Sequence, residues 1–216
     1  MASTRRTVVR AVRLVLVGSL AAGCAGAGGA TGEVAKPAAN RSPLHGLAPD
    51  RPAARPRLTL TDTSGAAYDF GARTRGRVTL LFWGYTRCED ICPTTMADIA
   101  VALRRVPESV RGSVTVVFAT TDPEQDTAPV VRRWLDRFDP SFVGLTGTTA
   151  QLAAAQRAAG VPVAVRERLA RGNYAVDHFA GVTAYGRDDR VAAVYPAGAI
   201  ASDYATDLPV LVKEGS

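Results

Sequence analysis

Apolar and polar positions divide the chain into stretches of different period. "RLTLTDTSGAAYDF", residues 57–70, alternates apolar and polar residues about Ser64-Gly65. A period of two with a turn pair at its middle predicts a β-hairpin with one buried face. "RVTLLFWGY", 77–85, and "SVTVVFATT", 113–121, are apolar almost throughout. Such runs, rich in β-branched and aromatic residues, predict central strands buried on both faces. Helical spacing marks about 93–105, 128–138, 148–160 and 201–212, the third stopping at Gly160. "FVGLTG" predicts a short strand. "HFAGVTAYG" and "RVAAVYP" predict two strands about the turn Arg187-Asp188-Asp189.

The order is a front hairpin, then β-α-β-α-β-α, then a second hairpin and a last helix. Alternating βα units with buried strands predict an α/β layer architecture. A parallel β-α-β followed by an antiparallel hairpin and a closing helix resembles the thioredoxin-like fold, here with an N-terminal β-hairpin extension and inserted elements.

Ahead of this pattern the composition changes twice. Residues 24–55 are rich in Gly, Ala, Pro and Arg without a period, which predicts a flexible tether. His45 lies in it and reads as incidental. Residues 1–23 have the parts of a secretory signal: Arg5 to Arg13 as the charged region, Leu14 to Ala22 as a short apolar core. That core falls short of the ~20 apolar residues a spanning helix needs. It ends in "LAAGC", which resembles a lipoprotein lipobox with Cys24 as the lipidated residue. Ala21 stands where leucine is usual. Arg5-Arg6 loosely resembles a twin-arginine export signal. The expected domain is then 56–216, held at the extracytoplasmic face of the cell membrane.

Charge adds little. The formal net charge is +6, but Arg5, Arg6, Arg10 and Arg13 precede Cys24 with no acid among them, leaving 6 − 4 = +2 for the rest. No basic block with interleaved aromatics occurs, so nucleic acid is not an expected partner.

Cysteine usage changes the picture more. With Cys24 lipidated, the mature fold keeps Cys88 and Cys92, in "GYTRCEDICPTTM". They follow the first buried strand and open its helix. A helix N-terminus offers unpaired N–H groups and a positive dipole end, both of which stabilise a thiolate. Residues at i and i+4 stand roughly 5–6 Å apart at Cβ, close enough to close into a disulfide or to grip one soft ion. A second cysteine pair is missing, which argues against structural zinc. Two thiolates suit Cu(I), and a third, imidazole ligand would also serve Cu(II). His178 is expected where the thioredoxin-like fold brings a strand entrance to face its cysteines, a place usually held by a proline.

At this point the residues resemble the Sco/SenC family. "GYTRCEDICPTTM", "DPEQDT" (122–127), "GLTGT" (144–148) and "YAVDH" (174–178) are similar to its motifs over about residues 56–210. The resemblance implies a membrane-tethered copper protein that helps assemble the CuA centre of cytochrome c oxidase, binding one copper, Cu(I) or Cu(II), through Cys88, Cys92 and His178. It implies the oxidase's copper-bearing subunit as partner, and a second extracytoplasmic copper carrier as a candidate one. Glu89 and Phe179 depart from the family pattern without removing a ligand. Asp90 and Asp122 are candidate supports behind the ligands. Asp126, Thr127 and Pro129 read as helix capping. Trp83 and Tyr85 are candidate shields of the site whose ordinary reading is core, Trp134 and Phe138 read as core, and Met96 reads as packed core with a soft-ligand role as its alternative. An alternative function is an extracytoplasmic thiol–disulfide oxidoreductase, Cys88 attacking and Cys92 resolving. A thiol peroxidase would need preorganised donors around one cysteine, which the sequence does not offer.

Overall fold

The computed structural model describes residues 43–168 and 174–214. The expected signal segment, Cys24, the Arg5-Arg6 pair and the first part of the tether lie outside the described residues.

The chain builds β1 (Thr59–Asp62), β2 (Ala67–Asp69), α1 (Phe70–Thr74), β3 (Val78–Gly84), α2 (Ile91–Arg105), α3 (Glu108–Arg111), β4 (Val114–Thr120), α4 (Ala128–Leu135), β5 (Val143–Thr146) and α5 (Thr149–Ala158). It continues with β6 (Val165–Arg168), β7 (Tyr174–Asp177), β8 (Val182–Tyr185), β9 (Val191–Tyr195) and α6 (Ala201–Glu214). Seven strands form one sheet in the order β2-β1-β5-β4-β3-β8-β9. β3 runs parallel to β4, and β4 to β5, while β8 and β9 are antiparallel at one end. The expected β-α-β and closing β-β-α are therefore present and share β3 as their central strand. The front hairpin extends the same sheet through β1 and β5.

All seven residues of β3 are buried, as its unbroken apolar run requires. Val78, Leu80 and Phe82 pack with Met96, Ile99, Val131, Trp134 and Leu208 of α2, α4 and α6. Leu81 and Trp83 pack on the opposite face with Phe70, Leu152 and Ala155 of α1 and α5. The predicted packing of Trp83, Met96 and Trp134 is thus observed. α5 begins with a capping box in which Thr148 accepts from Gln151 N–H and the Gln151 side chain returns to Thr148.

Several elements differ from expectation, among them the short helices α1 and α3, which the sequence pattern did not show. α4 stops at Leu135 rather than 138, its N-cap is Thr127, and Asp126 is bonded elsewhere. β6 and β7 form a separate two-stranded sheet that the sequence pattern did not show. From Pro43 onward the expected tether is instead a docked strap. Leu47 pairs with Val194 and Ala54 with Arg190, covering the β9 edge. The Arg55 side chain is buried, bonding Asp189, Thr74, Arg77 O and Gly186 O. Its guanidinium lies 5.1 Å from the Tyr185 ring centroid. His45 is not incidental: its backbone N–H and imidazole both bond Asp207, which is fully buried in α6. The domain therefore starts before residue 56. Among the described residues no helix is long and apolar enough to cross a membrane.

Candidate metal centre

The centre forms where β3 ends and α2 begins, at the carboxyl edge of the parallel strands. Cys88 lies in the connecting loop and Cys92 in the first turn of α2, so they do not share a regular helical turn. The Cys88 sulfur takes the place of a helix cap, accepting the Cys92 backbone N–H at 3.4 Å. Both cysteines are free thiols. Cys92 is buried and Cys88 half-buried.

That difference splits their acidities. Cys88 is lowered to about 5, first by a hydrogen bond from the Cys92 thiol, then by backbone N–H groups of Cys92 and Asp90 and the nearby His178, against an opposing cost of burial. Cys92 moves up, because it donates to Cys88 and is desolvated. The pair shares one proton, held on Cys92.

Gly84 makes this packing possible. A Cβ there would stand 2.9 Å from the Cys92 sulfur and 2.9 Å from Phe82, so any larger residue would displace one of them.

His178 follows β7 and brings its Nε2 to 3.7 Å from the Cys92 sulfur. Its Nδ1 lies 3.1 Å from the Phe179 carbonyl oxygen. A carbonyl can only accept, so Nδ1 carries a proton, and Nε2 is the ring nitrogen that faces the sulfur. The ring stands edge-on to Tyr85 (5.7 Å between centroids) and Phe82 (6.3 Å). Tyr85 therefore covers the imidazole as a shield would.

Asp90 meets the thiols through its backbone N–H, while its side chain is exposed. Asp122 is 1% exposed and does not bond the expected ligands. It accepts from Tyr174 Oη at 2.5 Å and pairs with Arg166. Asp126 is the support that the sequence reading assigned to capping. Fully buried, it accepts from Thr86 N (3.0 Å), Thr86 Oγ1 (2.6 Å) and Thr120 Oγ1 (2.6 Å). It thereby ties the cysteine loop to the end of β4. Burial raises its pKa, and the three donors oppose that. An acid six residues beyond Thr120 carries no sequence signal for this bond, because its partner Thr86 lies 40 residues back.

Two thiols and a correctly polarised imidazole make a soft donor set that fits copper. Among the described residues no group of three or more His, Cys, Asp or Glu side chains is already closed about a metal position.

Known proteins share this arrangement of chain. A sequence model of the family described as SCO1/SenC matches residues 48–213. A protein of Stutzerimonas stutzeri, named as copper-binding, is 34% identical over 139 residues, which is 64% of this chain and 67% of that one. The mitochondrial SCO1 homolog 1 of Arabidopsis thaliana is 34% identical over 103 residues, covering 48% of this chain and 30% of its own length. Bradyrhizobium japonicum ScoI, solved with copper bound, superposes with a TM-score of 0.65 at 31% identity, over 74% of this chain and 99% of that one.

Proposed function

The chain belongs to the SCO1/SenC family, and on that premise we propose that it is a membrane-anchored copper carrier for the CuA centre of cytochrome c oxidase. Its cargo is one copper ion per chain, held by Cys88, Cys92 and His178. The observation that carries this reading is the convergence of those three side chains, with Nε2 at 3.7 Å from the Cys92 sulfur and Nδ1 turned to the Phe179 carbonyl. Support comes from the copper bound in the similar ScoI and from the link between Sco proteins and assembly of the oxidase. The receiving partner is the oxidase's copper-bearing subunit, with anchorage through lipidated Cys24 at the extracytoplasmic face.

In this role the chain's residues prepare the donors. The Cys92 thiol, and after it the N–H groups around Cys88, keep Cys88 as thiolate at neutral pH, so one donor needs no deprotonation. Cys92 must give up the proton it shares with Cys88 when both sulfurs are engaged. Asp126 and Gly84 hold the loop and the sulfur in place, and Tyr85 limits water at the imidazole. Soft thiolates at an open edge allow exchange to a partner's cysteines and histidines when the two proteins dock.

The split acidity of the pair favours a second reading, preparation of the oxidase's own thiols. The Cys88 thiolate would attack a target disulfide and expel one target thiolate. Cys92 would then attack Cys88 in the mixed disulfide, releasing the second target thiolate. The target gains two electrons and the protein is left with a Cys88–Cys92 disulfide.

Titrating the reduced full chain anaerobically with Cu(I) and Cu(II), beside Cys88→Ser, Cys92→Ser and His178→Ala, tests the carrier reading. One equivalent bound tightly, and weakened in each variant, supports it. Weak binding that the variants leave unchanged, together with a readily cycled disulfide, sinks it in favour of thiol reduction.

A further inference from the structure

β6 and β7 are hydrogen-bonded to each other but not to the seven-stranded sheet. β7 nevertheless delivers His178, four residues beyond Tyr174. Beyond the chain's run into β8, side-chain contacts set where this hairpin, and the imidazole with it, stands against the thiols.

Asp122 supplies the most buried polar contact. It lies where β4 leaves the sheet, and its loop is pinned: Asp122 N donates to Thr120 Oγ1 at 3.0 Å, and Gln125 and Asp126 N–H groups return to Asp122 O at 3.1 and 2.9 Å. From this fixed point one carboxylate grips both strands. Its Oδ1 pairs with Arg166 on β6, and its Oδ2 accepts from Tyr174 on β7 at 2.5 Å. Arg166 also bonds Glu124 at 2.7 Å and lies 4.4 Å from the Tyr174 ring centroid. Arg87, immediately before Cys88, lies 5.9 Å from the same ring and bonds Gln125 at 3.3 Å. The Tyr85 hydroxyl meets the Val176 N–H. The clasp thus joins the loop after β4, the histidine hairpin and the cysteine loop.

We propose that Asp122 is a positioning residue for the candidate centre: through Arg166 and Tyr174 it sets the place of His178 relative to Cys92. It touches no donor atom and acts only by fixing the hairpin. This rests on the three-ligand reading above for its consequence in copper affinity, but not for its consequence in the copper-free protein.

Asp122→Asn keeps the shape and removes the charge that holds Arg166. Tyr174→Phe keeps the ring by the arginines and removes only the bond to Asp122. Both are compared in reduced, copper-free full chain by the NMR cross-peaks between the His178 and Tyr85 rings. They are then compared in a copper competition assay, with His178→Ala and the double variant Asp122→Asn/His178→Ala. The cross-peaks weaken in both single variants. Copper affinity falls about 10-fold in Asp122→Asn, the size of effect seen when a ligand's support is removed. The double variant binds no more weakly than His178→Ala, because Asp122 acts through that histidine. Unchanged cross-peaks in Asp122→Asn overturn the proposal. So does an equal further loss in the His178→Ala background, which would mark a general loosening. A wild type indifferent to His178→Ala would sink the copper reading alone; the copper-free cross-peaks would still decide whether Asp122 places the imidazole.

Discussion

Cys88 and Cys92 are the same residue type four positions apart, yet the fold sets them to opposite tasks. Cys88 collects N–H donors at the start of α2, and Cys92 faces Gly84 and Phe82 in the core. Because Cys88 is lowered, it is deprotonated above about pH 5. Alkylation of the reduced protein, read by mass spectrometry, should fall on Cys88 with a midpoint near pH 5 and level off well below neutral. Cys92→Ala should move that midpoint up toward an ordinary thiol, since the Cys92 hydrogen bond is the largest cause of the shift. A midpoint unaffected by the substitution would assign the shift to the helix terminus instead. The residue types of the centre were legible in the sequence, since cysteine spacing and a late histidine need no geometry. Asp122 was marked as a candidate support but not its partners, and Asp126 was read as capping. Asp122 meets Arg166 and Tyr174, and Asp126 meets Thr86, across 40 or more residues, which a linear pattern cannot rank.

Among elements, those with a strong period were predicted well and those without one were missed or misread. β3, β4 and α2 bury continuous or one-sided apolar faces, so the chain announces them. β6 alternates charge as "VRER", and its hairpin is held by Asp122 rather than by a wide apolar face. The strap from Pro43 has no period because single residues anchor it: Leu44, buried in the core, His45 and Gly46 on Asp207, and Arg55 beneath Tyr185. Arg55→Leu should cost about 3 kcal/mol in chemical denaturation, since it strands two carbonyls, Thr74 and the Asp189 carboxylate. A loss below 1 kcal/mol would mean that the strap adds little to the fold. The His45 end should respond to pH. Its hydrogen bond to Asp207 raises the imidazole pKa above the ordinary 6.5. A raised pKa contributes stability fully below that value and loses it as pH rises through the folded one. Protection of the Gly46 N–H from hydrogen exchange, after correction for intrinsic rate, should therefore be greatest in mild acid and decline above neutral. Asp207→Asn should flatten that dependence.

For the whole molecule, the proposed tethering and the proposed chemistry fall on separate segments of the sequence. The centre lies at the carboxyl edge of β3 and β4, while the strap runs along β9, the end strand of the sheet. Cys24→Ala should therefore release the protein from membranes into a soluble fraction while leaving its copper stoichiometry unchanged. Retention of the variant on membranes would remove the lipid from the account of anchorage. The sequence by itself determined the layer order, the central buried strand, the thiol pair and the imidazole that answers it. These follow from periodicity and residue chemistry, which are local. Only the tertiary structure decided which sulfur holds the charge, which ring nitrogen faces the thiols, that the tether docks, and that one aspartate grips both strands of the histidine hairpin. Those outcomes depend on burial and on pairings between distant segments, and the energy of a carboxylate or a thiol is set by what the fold places around it.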